Sequence, residues 1–168
     1  QLQSSMNAGG GAFNILNNAT IDFGTTILSG TNAFDLQSGS TLITANTNGI
    51  YATTATGSVQ SSGTRTYNSV ANYTFNGVSS QITGAGLTAA NNLTINNSNG
   101  VALTSSVTVS NILTLQSGKL SLGTNSLTVS NTSTSAITSY SPSNYISTNG
   151  TGELRRAIGI TSFPLNYV

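Results

Sequence analysis

The feature that most restricts the fold of this chain is a repeat. Ala71-Asn72-Tyr73-Thr74-Phe75-Asn76-Gly77, Asn91-Asn92-Leu93-Thr94-Ile95-Asn96-Asn97 and Asn111-Ile112-Leu113-Thr114-Leu115-Gln116-Ser117 align without gaps at a step of 20 residues. A second register shares that step, Val107-Thr108-Val109-Ser110-Asn111 returning as Leu127-Thr128-Val129-Ser130-Asn131, with Leu87-Thr88-Ala89 one step before. Two registers with one period imply a chain that winds, laying equivalent segments over one another turn after turn.

Upstream, Phe34-Asp35-Leu36-Gln37-Ser38-Gly39 matches Leu113-Thr114-Leu115-Gln116-Ser117-Gly118 at a separation of 79, close to four periods, and Phe13-Asn14-Ile15 lies 21 before Phe34. The repeat therefore spans residues 1–168 as one domain, least regular over 52–66 and after Thr132, so that 132–168 forms a less regular end region. Within a period, apolar-x-apolar doublets occur three times, as at Leu93/Ile95, Val101/Leu103 and Val107/Val109, and again at Leu113/Leu115, Leu120/Leu122 and Leu127/Val129. Alternation puts both apolar residues on one face and the middle residue on the other, the pattern of a short strand. Asn, Gly and Ser between doublets supply corners that tolerate left-handed backbone.

The expected fold is all-β: a parallel β-helix of the usual right hand, with about 20 residues and three short strands per coil. No helix is expected, because no 3.6-residue apolar stripe runs through the chain and Thr, Ser, Asn, Gly and Val are poor helix formers. At ~4.8 Å per strand spacing, roughly six to eight coils make a rod roughly 30 to 40 Å long. One coil cannot bury enough apolar surface to stand alone, so stability must come from stacking. Open solenoid ends are adhesive, and end-to-end association of copies is an expected consequence.

Composition narrows the partners. Only 4% of residues are charged, against 36% hydrophobic, and the acids are Asp22, Asp35 and Glu153 while the bases are Arg65, Lys119, Arg155 and Arg156. Such a field cannot steer a polyanion, so no nucleic-acid partner is expected. The hydrophobic share argues against a disordered linker. No apolar run approaches the ~20 residues of a membrane-spanning helix. Cys and His are both absent, which removes disulfides, thiolate chemistry, the commonest zinc ligands and the usual general base. The start QLQSSMNAGG has no basic, then apolar leader, which fits a removed signal peptide or an internal piece of a longer chain.

Stacking turns the sequence into a map of surface columns. Thr74, Thr94 and Thr114 form one outward Thr column, Thr88, Thr108 and Thr128 another, and Asn76, Asn96 and Gln116 an amide column able to bond along the axis. A regular array of methyls and hydroxyls can order water, so the Thr columns raise ice binding as an alternative; the plainer account is that Thr suits half-exposed strand positions. Arg155 and Arg156 beside Glu153 are the one local charge cluster and a candidate contact for an anionic glycan. The tyrosines at Tyr51, Tyr67, Tyr140, Tyr145 and Tyr167 can stack on sugars, whereas Tyr73 aligns with Leu93 and Leu113 and is expected in the core.

No catalytic set emerges, and no metal or other cofactor is expected. Asp35 shares a column with Asn14 while Asp22 belongs to the next strand, so a polysaccharide-cleaving carboxylate pair has no basic partner nearby. Without His no Ser triad assembles, and Lys119 in the Ser117-Gly118-Lys119 corner reads as solvated. Ala8-Gly9-Gly10-Gly11 lacks the strand-loop-helix setting of a phosphate loop.

The segment Tyr73 through Val129, with its NLTINNSNGVALTSSVTVSNILTLQSGKLSLGTNSLTVS wording, together with Tyr145-Ile146-Ser147-Thr148-Asn149-Gly150-Thr151-Gly152-Glu153-Leu154-Arg155-Arg156, resembles the large β-strand-repeat surface proteins of Bacteroidota. The resemblance implies an adhesin-like protein, extracellular or held at the outer membrane, and export by the type IX secretion machinery through a separate C-terminal sorting domain. It also implies that Phe163-Pro164-Leu165-Asn166-Tyr167-Val168 stops in mid-pattern, the chain being a fragment of something larger. The function expected is a structural or adhesive repeat module, with surface glycans, other copies or adjacent modules as partners; ice binding and glycan binding or cleavage are the alternatives.

Overall fold

The computed structural model describes residues 11–159 and the backbone of one strand before them, Met6–Ala8. Gly9 and Gly10 and the Phe163–Val168 segment, with Tyr167, lie outside the described residues.

The described chain is all strand, turn and loop, without a helix. The strands run β1 (Met6–Ala8), β2 (Phe13–Ile15) and β3 (Thr20–Asp22), then β4 (Leu28–Gly30), β5 (Phe34–Leu36) and β6 (Thr41–Thr44). After an excursion come β7 (Arg65–Tyr67) and β8 (Asn72–Phe75), then β9 (Gln81–Ile82) and β10 (Ala89–Asn96), and β11 (Val101–Ala102) and β12 (Val107–Ser117). The last are β13 (Leu120–Ser121), β14 (Leu127–Val129), β15 (Ile137–Thr138), β16 (Ile146–Ser147) and β17 (Leu154–Arg156).

Every pairing among these strands is parallel. An eight-stranded sheet orders β17-β14-β12-β10-β8-β6-β3 with β15 also on β12; a four-stranded sheet orders β16-β13-β11-β9, a three-stranded one β2-β5-β7, and β1 pairs β4. Partners lie one turn of chain apart, so that Tyr73, Leu93 and Leu113 stack in one column as the repeat predicts. Several parallel sheets built from successive turns are consistent with a β-helix.

The inward columns form the core. Leu42, Tyr73, Leu93 and Leu113, and beside them Thr44, Phe75, Ile95 and Leu115, are buried along the eight-stranded sheet. In the three-stranded sheet Phe13 stacks on Phe34 at 6.2 Å between ring centroids and Tyr67 tilts against Phe34 at 5.7 Å. Burial pushes the phenols of Tyr67 and Tyr73 well above their ordinary range; Arg65 partly opposes the rise at Tyr67, and Tyr67 adds to it at Tyr73. Each phenol donates to a backbone carbonyl, Tyr73 Oη to Asn68 O at 2.8 Å and Tyr67 Oη to Tyr51 O at 3.3 Å.

Two sequence alignments shift. The step between β5 and β7, and between β6 and β8, is 31 residues (Phe34 to Arg65, Thr41 to Asn72) because the chain makes an excursion over 51–57 before Val59 bridges back to Leu28. Phe34-Asp35-Leu36 consequently belongs to the three-stranded sheet, and the upstream partners of Leu113 and Leu115 are Leu42 and Thr44 through Tyr73 and Phe75, not Phe34 and Leu36. The shared Gln-Ser-Gly is a recurring corner: Gly39 and Gly118 both hold left-handed backbone, at φ 73° and 76°. At Gly118 an added Cβ would run into the Asn97 carbonyl.

The excursion is pinned from inside. Arg65 takes the inward position of β7 that Phe34 holds in β5 and is only 8% exposed. Its guanidinium Nη1 donates to Thr54 O at 2.5 Å and Val59 O at 3.0 Å. Thr44 and Ser58 hydroxyls meet at 2.5 Å in the same region.

Candidate functional site

Thr74, Thr94 and Thr114 stand in direct register, and the column extends to Thr138, whose Oγ1 lies 3.3 Å from that of Thr114. All four are half-buried. In the second column Thr108 faces Thr128, and Arg155 follows. Thr88 does not join by register: the partner of Thr108 is Ala89, although Thr108 N still bonds Thr88 O at 3.0 Å. The reason is a corner that moves by one residue. Leu87 and Ala90 are the buried pair of that turn, where Val107 and Val109 are in the next.

The amide column of Asn76, Asn96 and Gln116 does not form a bonded ladder. A register shift after Ile95 sets Asn96 opposite Ser117, and Asn76 Oδ1 is buried without a partner. The ladder forms one corner away, where sequence reasoning placed none. Asn72 Oδ1 accepts from Asn92 Nδ2 at 2.7 Å and from Asn91 Nδ2 at 3.0 Å. Asn92 Oδ1 accepts from Asn111 Nδ2 at 2.9 Å, and Asn111 Oδ1 from Asn131 Nδ2 at 3.3 Å. The same Asn92 oxygen also takes Ile112 N at 3.1 Å. This is a spine of amides running along the stack, each one satisfying donors that the corner would otherwise leave unpaired.

Three of the remaining candidates, Arg156, Tyr140 and Tyr145, meet beside strands β15–β17. A cavity of about 390 Å³ is lined by Leu115, Thr134, Ile137, Tyr140, Ser141, Tyr145, Ile146, Leu154 and Arg156. Tyr140 is 71% and Tyr145 44% exposed. Of the two candidate arginines, only Arg156 lines it; its Nη2 donates to Ser133 O. Arg155 turns to Glu153, with a 2.9 Å ion pair in the open. Their sequence neighbours gave no sign of the cavity, which depends on how the loop 139–145 folds back. Tyr51 and Tyr67 instead face the excursion, and Lys119 is an exposed corner residue.

Asp22 sits in β3 of the eight-stranded sheet, its Oδ1 accepting Gly24 N at 2.8 Å, and Asp35 in β5 of the three-stranded sheet beside Asn14 and Thr66. Among the described residues no three His, Cys, Asp or Glu side chains gather to hold a metal ion, and no helix is long and apolar enough to cross a membrane. No family model, no curated protein and no solved structure matches the chain.

Proposed function

We propose that this chain is a right-handed parallel β-solenoid, three short strands to a coil of about 20 residues, that serves as an extracellular structural or adhesive module of a bacterial surface protein and carries out no catalysis of its own. The observation that carries the reading is the amide spine from Asn72 to Asn131. Side chains along that corner are spent on neighbours in the stack rather than aimed at a substrate, as suits a stiff spacer that presents a surface at a distance. The near-absence of charge and the resemblance of the repeat to Bacteroidota surface proteins point the same way.

The test is immunogold electron microscopy of intact producing cells with antibody raised against this chain. Label along surface fibres or the outer membrane is expected; label confined to the cell interior overturns the proposal.

A second reading, ice binding, draws on the Thr74, Thr94, Thr114 and Thr138 column at single-strand spacing. The neighbouring outward rank is Asn72, Asn92 and Ile112, whose amides are occupied by the spine, so the array is one Thr wide. Thermal hysteresis by the purified protein supports that reading, and its absence removes it.

A further inference from the structure

We infer that the cavity at the β15–β17 end is a binding site for an acidic sugar, a uronic-acid residue of a polysaccharide. The inference rests on the adhesive reading and names its ligand class.

Size comes first. A volume of about 390 Å³, widely open to solvent, admits one or two pyranose rings. Chemistry comes second. The lining includes Leu115, Ile137, Ile146 and Leu154 with the two exposed tyrosines, while a pyranose presents an apolar face of C–H groups that packs on an aromatic ring and a rim of hydroxyls that wants donors and acceptors. Ser141 and Thr134 also line the cavity, the Ser141 Oγ accepting from Ser143 N and Asn144 N within its own loop. Arg156 decides the charge of the ligand. It faces the cavity with a carbonyl partner but with no carboxylate partner among the described residues, so its planar fork can take a sugar carboxylate side-on.

The rim is also built rather than incidental. Ser139 holds left-handed backbone at φ 59°, rare outside Gly and Asn, and turns Tyr140 out to solvent. The loop then closes on itself, with Ser141 N to Asn144 O at 2.8 Å and Asn144 N to Ser141 O at 3.1 Å. Asn144 fastens it to the coil below, its Nδ2 donating to Gln116 O at 3.1 Å and its Oδ1 accepting from Gly118 N at 2.9 Å. Tyr140 and Tyr145 thus project from a loop fixed at its base, which lowers the ordering cost of binding.

The experiment is calorimetric titration of the 168-residue chain with a galacturonic-acid trisaccharide and, in parallel, a neutral glucose trisaccharide at low ionic strength. Binding of the acidic sugar, weakened about tenfold by Arg156→Gln and several-fold by Tyr140→Ala, is expected. Arg155→Gln, whose parent side chain is engaged by Glu153, is expected to leave affinity unchanged. All three positions are exposed, so unchanged circular dichroism and melting temperature exclude a folding defect. No binding of the acidic sugar, equal binding of both sugars, or equal losses from the two arginine variants overturns the inference. So does concentration-dependent self-association by light scattering that Leu154→Lys abolishes, because the end then serves a second copy. Sugar binding by a protein that labels only inside cells would remove the adhesive reading and leave the site standing; surface label without sugar binding would do the reverse.

Discussion

Asn92 spends its whole amide on the corner: Nδ2 on Asn72, and Oδ1 on both Asn111 and the Ile112 amide. Truncation leaves two half-buried donors, Asn111 Nδ2 and Ile112 N, without their acceptor and Asn72 Oδ1 with Asn91 alone, so Asn92→Ala is expected to cost about 2–4 kcal/mol in urea unfolding. Asn96→Ala, one doublet further along the same strand, removes no side-chain bond and is expected to stay within about 0.5 kcal/mol; similar losses would dissolve the distinction between spine and surface. Arg65 acts by a different route. Arg65→Ala strips a donor from Thr54 O, which water can reach, and from Val59 O, which it cannot, Val59 being fully buried. A loss of roughly 3 kcal/mol is expected, together with new protease cleavage within 51–57. The buried phenols make stability pH-dependent. Folded Tyr67 and Tyr73 hold their protons above the pH at which the unfolded side chains release them, about 10. Their contribution is intact below about pH 10 and is lost as pH rises toward the folded pKa. Tyr73→Phe is therefore expected to flatten the fall in urea midpoint between about pH 9 and about pH 11, and an unchanged slope would place the alkaline sensitivity elsewhere.

At the scale of strands and corners, two glycines separate conformation from crowding. Both Gly118 and Gly123 have positive φ, 76° and 59°, but Gly123 has open space where its Cβ would sit and Gly118 has the Asn97 carbonyl. Gly123→Ala is expected to cost about 1 kcal/mol. Gly118→Ala must also displace backbone, so about 3 kcal/mol is expected, with faster hydrogen exchange at β13. The strands that the repeat revealed were those where turn length stays constant: β8, β10, β12 and β14 each carry an apolar doublet at a step of 20. Where the excursion at 51–57 lengthens the turn to 31, counting residues put Phe34 over Leu113, since residue count says nothing of which segment stacks on which. The amide spine left a trace at Asn72, Asn92, Asn111 and Asn131, but a bulge near Asn91 makes its step 20, then 19, then 20. The evenly spaced Asn76, Asn96 and Gln116 hid it, because hydrogen bonding follows corner geometry and not strict periodicity.

From β8 onward the core is graded toward β17. The inward doublets of β8, β10, β12 and β14 are almost wholly enclosed, whereas Ile137 and Ile146 are half-buried and β17 is exposed at all three positions. The turns lengthen in step, Leu120 to Ile146 spanning 26 residues and Leu127 to Leu154 spanning 27, so more chain is ordered for each buried side chain. In a stacked array whose stability is the sum of nearest-neighbour contacts, that gradient should become a gradient of opening. Hydrogen exchange is expected to show the slowest amides in β10 and β12 and progressively faster ones through β15, β16 and β17, with the end turn opening before the rest unfolds. Leu113→Ala, buried in the middle, is expected to cost about 2–5 kcal/mol and lower protection throughout. Ile146→Ala should speed exchange only in β13 and the strands beyond it. The same gradient bears on the acidic-sugar site, since a ligand bridging Tyr140, Tyr145 and Arg156 would stabilise the least stable turn and slow its exchange. Uniform protection from β10 to β17 would mean that the stack unfolds as one unit, with the end turn held by contacts that its exposed strands do not display.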